Sequence, residues 1–249
     1  SNGHENMVKH LVKCGAEINR ADNDGVTPLY AGTFNGHQEI VDCLLKYGAE
    51  INCIGNNGRT PLYAASSKGY EKIVECLVKT GGDVNRCDND GYTPLYAASN
   101  NGDEKIVEYL VKHGAEINSV DKRGWTPLHA ASSRGHEKIV ECLVKCGAEI
   151  NRGDNYDRTP LFVASELGHE KAVEYLVKSG AEVNLADEQD RTPVHAASLG
   201  NYEKIVECLV KSGADANRCD KYGQTPLDIA YKYHHKKIVE FLLMNGETT

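Results

Sequence analysis

The chain has 249 residues, of which 40% are apolar and 26% are charged, and its formal net charge at pH 7 is −8. The acidic balance argues against a general nucleic-acid binder, which is usually basic. No apolar run is long enough to cross a membrane, and no secretory signal pattern opens the chain.

One dipeptide, Thr-Pro, recurs every 33 residues and contains all seven prolines of the chain. The threonines are Thr27, Thr60, Thr93, Thr126, Thr159, Thr192 and Thr225. A fixed period of this length without insertions indicates a stacked repeat array, in which each unit packs on its neighbours. Such an array offers a long surface rather than one cleft.

Residues 1–21 match only the second half of the repeating unit, which predicts that the chain begins inside a longer natural array. Six full copies and a shorter last copy follow, with bounds 22–54, 55–87, 88–120, 121–153, 154–186, 187–219 and 220–249. In the last copy, Lys236 and Lys237 add charge to the outer face. An end unit needs such charge because no neighbour covers it, so we predict a capping repeat.

Within the copy 88–120, local signals predict a turn and a short helix. Gly91 follows Asp90 in a tight-turn signal. Thr93 is a favourable helix N-cap, and the proline after it suits the first helical position. Gly102 ends this first helix, because glycine readily adopts the left-handed conformation of a helix C-terminus.

A second helix is predicted from about Glu104 to His113. Its apolar residues follow the i, i+3, i+4 spacing of a half-buried helix, and they are Ile106, Val107, Leu110 and Val111. Charged residues occupy the other face, where Glu108 and Lys112 form a favourable i,i+4 pair. Neither helix buries its apolar stripe alone, so neighbouring copies must cover it.

The pattern Asp-x-x-Gly-x-Thr-Pro-Leu-Tyr/His-x-Ala is followed by Gly-His/Tyr/Asp and Ile-Val-Glu-x-Leu-Val-Lys-x-Gly-Ala-Glu-Ile-Asn, and it resembles the ankyrin repeat over essentially the whole chain. The resemblance implies an all-α ankyrin-repeat solenoid in one domain, 1–249. Each unit would be a helix-turn-helix with a β-hairpin or turn, and L-shaped units would stack into an elongated curved array. It also implies a scaffold or adaptor that binds a protein in a concave groove lined by hairpin tips and first helices.

Neither a catalytic residue, a cofactor nor a metal site is predicted. The known phosphate-binding, dinucleotide-binding, serine-nucleophile and zinc motifs are absent. His129 and His195 occupy a slot that is tyrosine in other copies, so we interpret both as structural. Cys142 and Cys146 lie one helical turn apart, but two thiols without further ligands do not predict a metal site. The nine cysteines show no disulfide pattern, which favours an intracellular, cytoplasmic protein.

The residue before each Thr varies from copy to copy, so the scaffold does not dictate it. These residues should form a row along the groove edge, and they are Val26, Arg59, Tyr92, Trp125, Arg158, Arg191 and Gln224. Trp125 is the only tryptophan of the chain, and it lies at a tip where we expect little shelter from core packing.

Arginine and aromatic residues are the types most enriched at interface hot spots, and they concentrate around Trp125. We predict a partner-binding surface centred on 88–186 and formed by Arg59, Tyr92, Lys122, Arg123, Trp125, Arg134, Tyr156, Arg158 and Arg191. Because these tips are basic, the expected partner of the monomer is another protein with an acidic or extended peptide segment. Neither nucleic acid nor membrane is expected. Phe34 and Leu199, at the end of their first helices, are weaker candidates.

Two alternatives stay open at this point. Aromatic residues at the tips could pack on the aliphatic stems of the neighbouring tip, without any ligand. The whole array could also be a structural spacer that links domains of a larger protein. A role as an enzyme subunit would require a further domain.

Several copies depart from the common pattern. Asp157 and Asp190 replace the tip glycine, which predicts aspartate in a conformation that it tolerates less well. Asn201 replaces a helix-terminating glycine, Gly55 replaces the usual turn aspartate, and Phe162 replaces a tyrosine or histidine. We expect the fold to survive all five changes.

Overall fold

The computed structural model describes residues 2–245, and it describes the side chains of residues 6–55 and 57–245. Ser1, at the start of the predicted partial copy, and residues 246–249, at the end of the predicted cap, lie outside the described residues. The described part contains fifteen α-helices and no strand. The predicted all-α class is therefore confirmed, and the tips are turns.

Each complete copy contributes two helices, and the partial copy contributes α1 (Asn2–Lys13). The first helices are α2 (Pro28–Phe34), α4 (Pro61–Lys68), α6 (Pro94–Asn101), α8 (Pro127–Arg134), α10 (Pro160–Glu166), α12 (Pro193–Leu199) and α14 (Pro226–Lys232). The second helices are α3 (Gln38–Lys46), α5 (Glu71–Lys79), α7 (Glu104–Lys112), α9 (Glu137–Lys145), α11 (Glu170–Lys178), α13 (Glu203–Lys211) and α15 (Lys236–Asn245). The two helices predicted within 88–120 are confirmed to within one residue.

The Thr-Pro pairs mark the start of every first helix. Each proline is the first helical residue, and the threonine before it is the N-cap in an extended conformation. The threonine hydroxyl accepts a hydrogen bond from the backbone N–H three residues on, at 3.1–3.3 Å, in the helices capped by Thr27, Thr60, Thr93, Thr126, Thr159 and Thr225. This bond satisfies an N–H that has no acceptor within the helix.

The described helices form two compact units, which are divided in the chain between Lys122 and Arg123. In the first unit, α2, α4 and α6 pack in chain order, and so do α3, α5 and α7. In the second unit, α8, α10, α12 and α14 pack in order, as do α9, α11, α13 and α15. The two helices of each complete copy also contact each other. Within each unit, packing therefore follows the nearest-neighbour pattern of a repeat array.

The apolar stripes predicted for the helices form the core. In the copy 88–120, Leu95, Ile106, Val107 and Leu110 are completely or almost completely buried. Buried Ala98 is the small residue of the first helix that allows its neighbours to approach closely. Burial of each such leucine or isoleucine stabilises the fold by about 1.5–3 kcal/mol relative to leaving it exposed.

Polar groups also join successive copies. Backbone N–H groups at one tip donate to carbonyl oxygens at the preceding tip, at 2.8–3.0 Å, in the pairs Asn89–Asn57, Lys122–Asp90, Asn155–Arg123, Glu188–Tyr156 and Lys221–Gln189. The Asn85 amide bonds the next copy twice, because its Oδ1 accepts from the Glu116 N–H at 2.8 Å and its Nδ2 donates to the Gly114 carbonyl at 3.1 Å. Neighbouring copies are thus in one register.

The departures predicted for the turns are borne out. Asp157, Asp190, Asn201 and His234 all have φ close to +60°, in the left-handed region that favours glycine. Each stands in a position where most copies carry glycine, and the helices on either side keep their places. Phe162 is 1% exposed, so its ring contributes apolar packing where tyrosine or histidine stands in other copies.

Five of the seven first helices carry a buried serine in one slot. The hydroxyls of Ser66, Ser99, Ser132 and Ser198 are buried and have no hydrogen-bond partner among the described residues. In the same slot, the hydroxyl of Ser165 donates to the Leu161 carbonyl at 2.7 Å. Chemically identical side chains therefore differ in their hydrogen bonding.

We expect Thr93→Ala to lower the free energy of unfolding by about 1 kcal/mol, because the N–H of Tyr96 loses its acceptor. Thr93→Ser keeps the hydroxyl and should retain most of the stability. Urea unfolding followed by circular dichroism measures both. Equal stabilities for the two variants would contradict a capping role.

We expect Ser99→Ala to raise the free energy of unfolding by up to about 1 kcal/mol, because it removes a buried hydroxyl without a partner. Ser165→Ala is the matched control, since it removes a hydroxyl that is hydrogen-bonded, and it should give no gain. Chemical denaturation of both proteins tests the difference. The same change in both variants would show that the two hydroxyls are equivalent.

Candidate protein-interaction surface

Most tips are built around a buried carboxylate. In the copy 154–186, one oxygen of Asp154 accepts hydrogen bonds from the backbone N–H groups of Tyr156 and Arg158, at 2.9 and 3.0 Å. The same double acceptance is made by Asp88, Asp187 and Asp220, and all four aspartates are only 5–8% exposed. The turn therefore depends on a charge that is buried and must be satisfied.

The second oxygen of three of these aspartates is bonded by an arginine of the variable slot. Arg158 donates to Asp154 at 3.0 and 2.8 Å, and Arg191 donates to Asp187 at 2.9 and 2.6 Å. In the copy that contains Arg59, Gly55 stands at the position of the turn aspartate. Arg59 donates instead to Asp88 of the next copy at 3.1 Å.

These three arginines were predicted as basic contacts for a partner, but in the structure each compensates a buried carboxylate. The positive charge expected at these tips is therefore compensated, and the three residues offer fixed N–H donors and apolar stems. The i,i+4 spacing of Asp154–Arg158 and Asp187–Arg191 is a signal that could have predicted two of the pairs.

Trp125 is half-buried, which corrects the expectation of little shelter at the tip. Its indole N–H donates to the second oxygen of Asp154 at 2.9 Å. The guanidinium of Arg123 lies over the indole, 4.6 Å from the ring centroid, and that of Arg158 lies 5.9 Å away. The acceptor is a buried carboxylate of the next copy, so the sequence of one tip alone does not reveal it.

Burial alone would raise the pKa of the Asp154 carboxyl. Hydrogen bonds from the Arg158 side chain, from the backbone N–H groups of Tyr156 and Arg158, and from Trp125 outweigh this effect, so the pKa lies below its usual value. The carboxylate is therefore ionised at neutral pH and holds the surrounding donors in place.

Tyr156 leaves half of its side chain exposed, and the Arg158 guanidinium lies 5.4 Å from its ring centroid. We use the name tip cluster for Arg123, Trp125, Tyr156 and Arg158. A shallow cavity of about 220 Å³ continues from Tyr156 and Arg158 to Arg191. The structure thus brings four of the predicted residues together and places a fifth beside them.

The other predicted residues are not part of the tip cluster. In the second unit, Arg134 is exposed at the end of α8. In the first unit, Lys122 forms an exposed ion pair with Asp90, with 3.3 Å between the Nζ and Oδ1 atoms. Tyr92 is half-buried, and its ring centroid lies 4.7 Å from that of Tyr96.

His129 and His195 have the surroundings of residues that stabilise the fold. Both are completely buried. The Nε2 atom of His129 is 2.9 Å from the Arg158 carbonyl oxygen, and its Nδ1 atom is 2.8 Å from the Thr126 hydroxyl. Burial lowers the pKa of His195 below its usual value, so that ring is neutral at pH 7. Both rings join the cap of their own helix to the next copy.

Within the part of the chain that the structure describes, no group of three or more His, Cys, Asp or Glu side chains is arranged to hold a metal ion. All nine cysteines are free thiols. Burial and the nearby Asp42 carboxylate raise the pKa of Cys76 to about 11, so this thiol is protonated at neutral pH. Among the described helices, none is both long enough and apolar enough to span a membrane.

Comparison with known proteins agrees with this architecture. The family model described as "Ankyrin repeats (3 copies)" matches residues 1–55, 48–121, 116–187 and 184–249. The chain is similar to the crystal structure of the human ASB11 ankyrin repeat domain, with 27% sequence identity and a TM-score of 0.81. That match covers 88% of this chain and 98% of the other. No curated protein sequence matches.

We expect Asp154→Asn to lower the free energy of unfolding by about 2 kcal/mol at pH 7, because the amide loses the charge-assisted hydrogen bonds with Arg158. Folding lowers the pKa of Asp154, so its contribution is present above the pKa of the unfolded aspartate, about 3.9. It is lost as the pH falls through that value towards the folded pKa. The stability difference should be constant from about pH 7 to pH 5 and narrow below about pH 4. Urea unfolding across this range measures it.

Asp157→Asn is the matched control, because Asp157 is exposed in the same turn and asparagine tolerates its left-handed backbone. It should change stability by less than about 0.5 kcal/mol. A loss for Asp154→Asn no greater than that of the control would contradict the central role of the buried carboxylate.

Proposed function

This chain belongs to the ankyrin repeat family, and on that premise we propose that it is a protein–protein interaction scaffold or adaptor. Repeats of this family are generally protein-interaction modules. Of the surface predicted around 88–186, the proposal concerns the part in the second unit, which is the tip cluster with Arg134 and Arg191. Arg59, Tyr92 and Lys122 belong to the first unit and stay predictions.

The observation that carries the proposal is that the tip cluster is partly exposed while its side chains are held in fixed positions. Tyr156 presents half of its side chain to solvent, while Asp154 fixes both Arg158 and Trp125 beside it. Aromatic and arginine side chains are the types most enriched at binding hot spots. Side chains that are already fixed lose less conformational entropy on binding, so a partner gains more affinity from each contact.

We propose an extended, acidic peptide segment of a partner protein as the ligand. Arg123 and Arg134 are exposed, and they support a preference for acidic residues. Arg158 and Arg191 would contribute directional N–H donors rather than net charge, because Asp154 and Asp187 compensate them. From the copy 55–87 onward, one backbone hydrogen bond joins each tip to the next, and such a regular row suits an extended chain.

The proposal also includes an intracellular, cytoplasmic monomer that binds neither nucleic acid nor membrane and catalyses no reaction. The net charge of −8 supports the exclusion of general nucleic-acid binding. Nine free thiols support a reducing compartment.

The experiment is a selection of peptides that bind the whole chain from a displayed random library, followed by affinity measurements on the enriched peptides. We expect enrichment of acidic, extended sequences. Tyr156→Ala should weaken their binding by about tenfold, as expected for a hot-spot residue. Arg123→Glu should weaken binding further for peptides with more acidic residues, because it replaces attraction by repulsion.

The matched control is Tyr222→Ala, since Tyr222 occupies the same slot two copies later and is 70% exposed, with Gln224 where Tyr156 has Arg158. It should change affinity less than about twofold. Equal losses for Tyr156→Ala and Tyr222→Ala would overturn the assignment to the tip cluster. A selection that enriches no sequence would favour the alternative, a structural spacer without a ligand at the tips.

A further inference from the structure

The copy 55–87 differs from its neighbours because Gly55 stands where most copies have the buried turn aspartate. Its turn is still closed by backbone hydrogen bonds, from the Gly55 N–H to the Arg59 carbonyl at 3.0 Å and from the Gly58 N–H to the Gly55 carbonyl at 3.1 Å. The ring of Tyr30 packs close to Gly55: a Cβ atom on this glycine would lie 3.5 Å from Tyr30. The replacement of the turn aspartate by Gly55 therefore leaves the turn closed.

Without an aspartate in its own turn, Arg59 extends to the next copy. There it donates to Asp88 and lies 5.0 Å from the ring centroid of Tyr63. Asp88 also accepts two backbone hydrogen bonds, so the ion pair is held in a fixed position. Arg59 thus forms a rigid wall whose charge is compensated.

This wall borders a cavity of about 320 Å³ in the first unit. The cavity is lined by Val26, Tyr30, Ala31, Phe34, Asn35, Asn57 and Arg59. The Tyr30 and Phe34 rings are stacked, with centroids 6.2 Å apart and planes inclined by 15°. Phe34 is 43% exposed, so an aromatic surface faces the cavity mouth at the end of a first helix. None of the lining residues that the structure describes is acidic.

A cation lies at the rim. The Lys68 Nζ atom is 4.7 Å from the ring centroid of Phe34, and its side chain is exposed. Among the described residues, no carboxylate forms an ion pair with Lys68. The cavity therefore combines an aromatic wall with an uncompensated positive charge, and both are features that a carboxylate next to an apolar group would complement.

We propose that this cavity binds a segment of a partner protein in which a phenylalanine or leucine side chain is flanked by aspartate or glutamate. The apolar side chain packs on Tyr30 and Phe34, and the carboxylate pairs with Lys68. The site belongs to the first unit alone, so it stands whether or not the tip cluster binds a partner.

The test uses two peptides, acetyl-Glu-Phe-Glu-amide and acetyl-Lys-Phe-Lys-amide, titrated into the whole ¹⁵N-labelled chain and followed by NMR. The acidic peptide should shift the amide signals of residues 26–35 and 57–59, and the basic peptide should bind at least about fivefold more weakly. Lys68→Glu should reverse this preference. Phe34→Ala should weaken the acidic peptide by about tenfold, because it removes the aromatic wall.

Two matched controls lie in the second unit. Leu199→Ala changes the equivalent helix-end slot, which is 41% exposed, and Lys232→Glu changes another exposed lysine beside an aromatic ring, 5.6 Å from the ring centroid of Tyr233. Neither should alter the shifts of residues 26–35. Because Phe34 and Lys68 are exposed, circular dichroism should show that the Phe34→Ala and Lys68→Glu variants are folded.

Gly55→Asp is a further variant that restores the common turn residue, and the backbone of Gly55 has an ordinary negative φ that accepts it. It should weaken the acidic peptide, because it adds a carboxylate beside the cavity and offers Arg59 a partner in its own turn. Equal affinity for the two peptides would overturn the proposal. So would an absence of shifts in residues 26–35 and 57–59, or binding there that is indifferent to Phe34→Ala and Gly55→Asp.

Discussion

No copy of the 33-residue unit can bury its own apolar stripe, and the rest of the structure depends on this constraint. Ile106, Val107 and Leu110 are buried because α7 packs both on the first helix of its copy and on α5. Packing of this kind requires all copies in a unit to keep one register. The capping threonines, the backbone bonds between tips and the Asn85 bridge all hold that register.

The same stacking brings a second constraint, which is a buried carboxylate in the turns. A buried charge must be satisfied, and the backbone N–H groups of the turn supply only part of what Asp154 needs. The remaining donors come from the variable slot, where Arg158 and Trp125 converge on one oxygen. Some residues that vary from copy to copy are therefore held in place by hydrogen bonds to the buried carboxylate. The surface available to a partner is the part of each side chain that remains exposed after the carboxylate is satisfied.

Departures from the repeat carry more functional information than its constant positions. Asp157 and Asp190 change the turn residue and leave the backbone conformation of the turn in place. Gly55 instead removes a carboxylate, and the arginine that would have bonded it reaches the next copy. One missing side chain thus changes the wall of a neighbouring cavity, while the capped helix that follows is preserved. Local differences of this kind allow a nearly uniform scaffold to present different chemistry along its length.

The sequence by itself determined the helices, their register and the core. Signals such as Thr93 before a proline, or Gly102 after a short helix, act within a few residues along the chain, and the period repeats them. The sequence also showed which positions of the repeat vary from copy to copy. Only the tertiary structure decided what those slots do: Arg158 bonds an aspartate of its own turn, whereas Arg59 in the same slot bonds Asp88, 29 residues further on. Charge compensation and burial depend on neighbours in space, and the stacking of copies places those neighbours a full unit away in sequence.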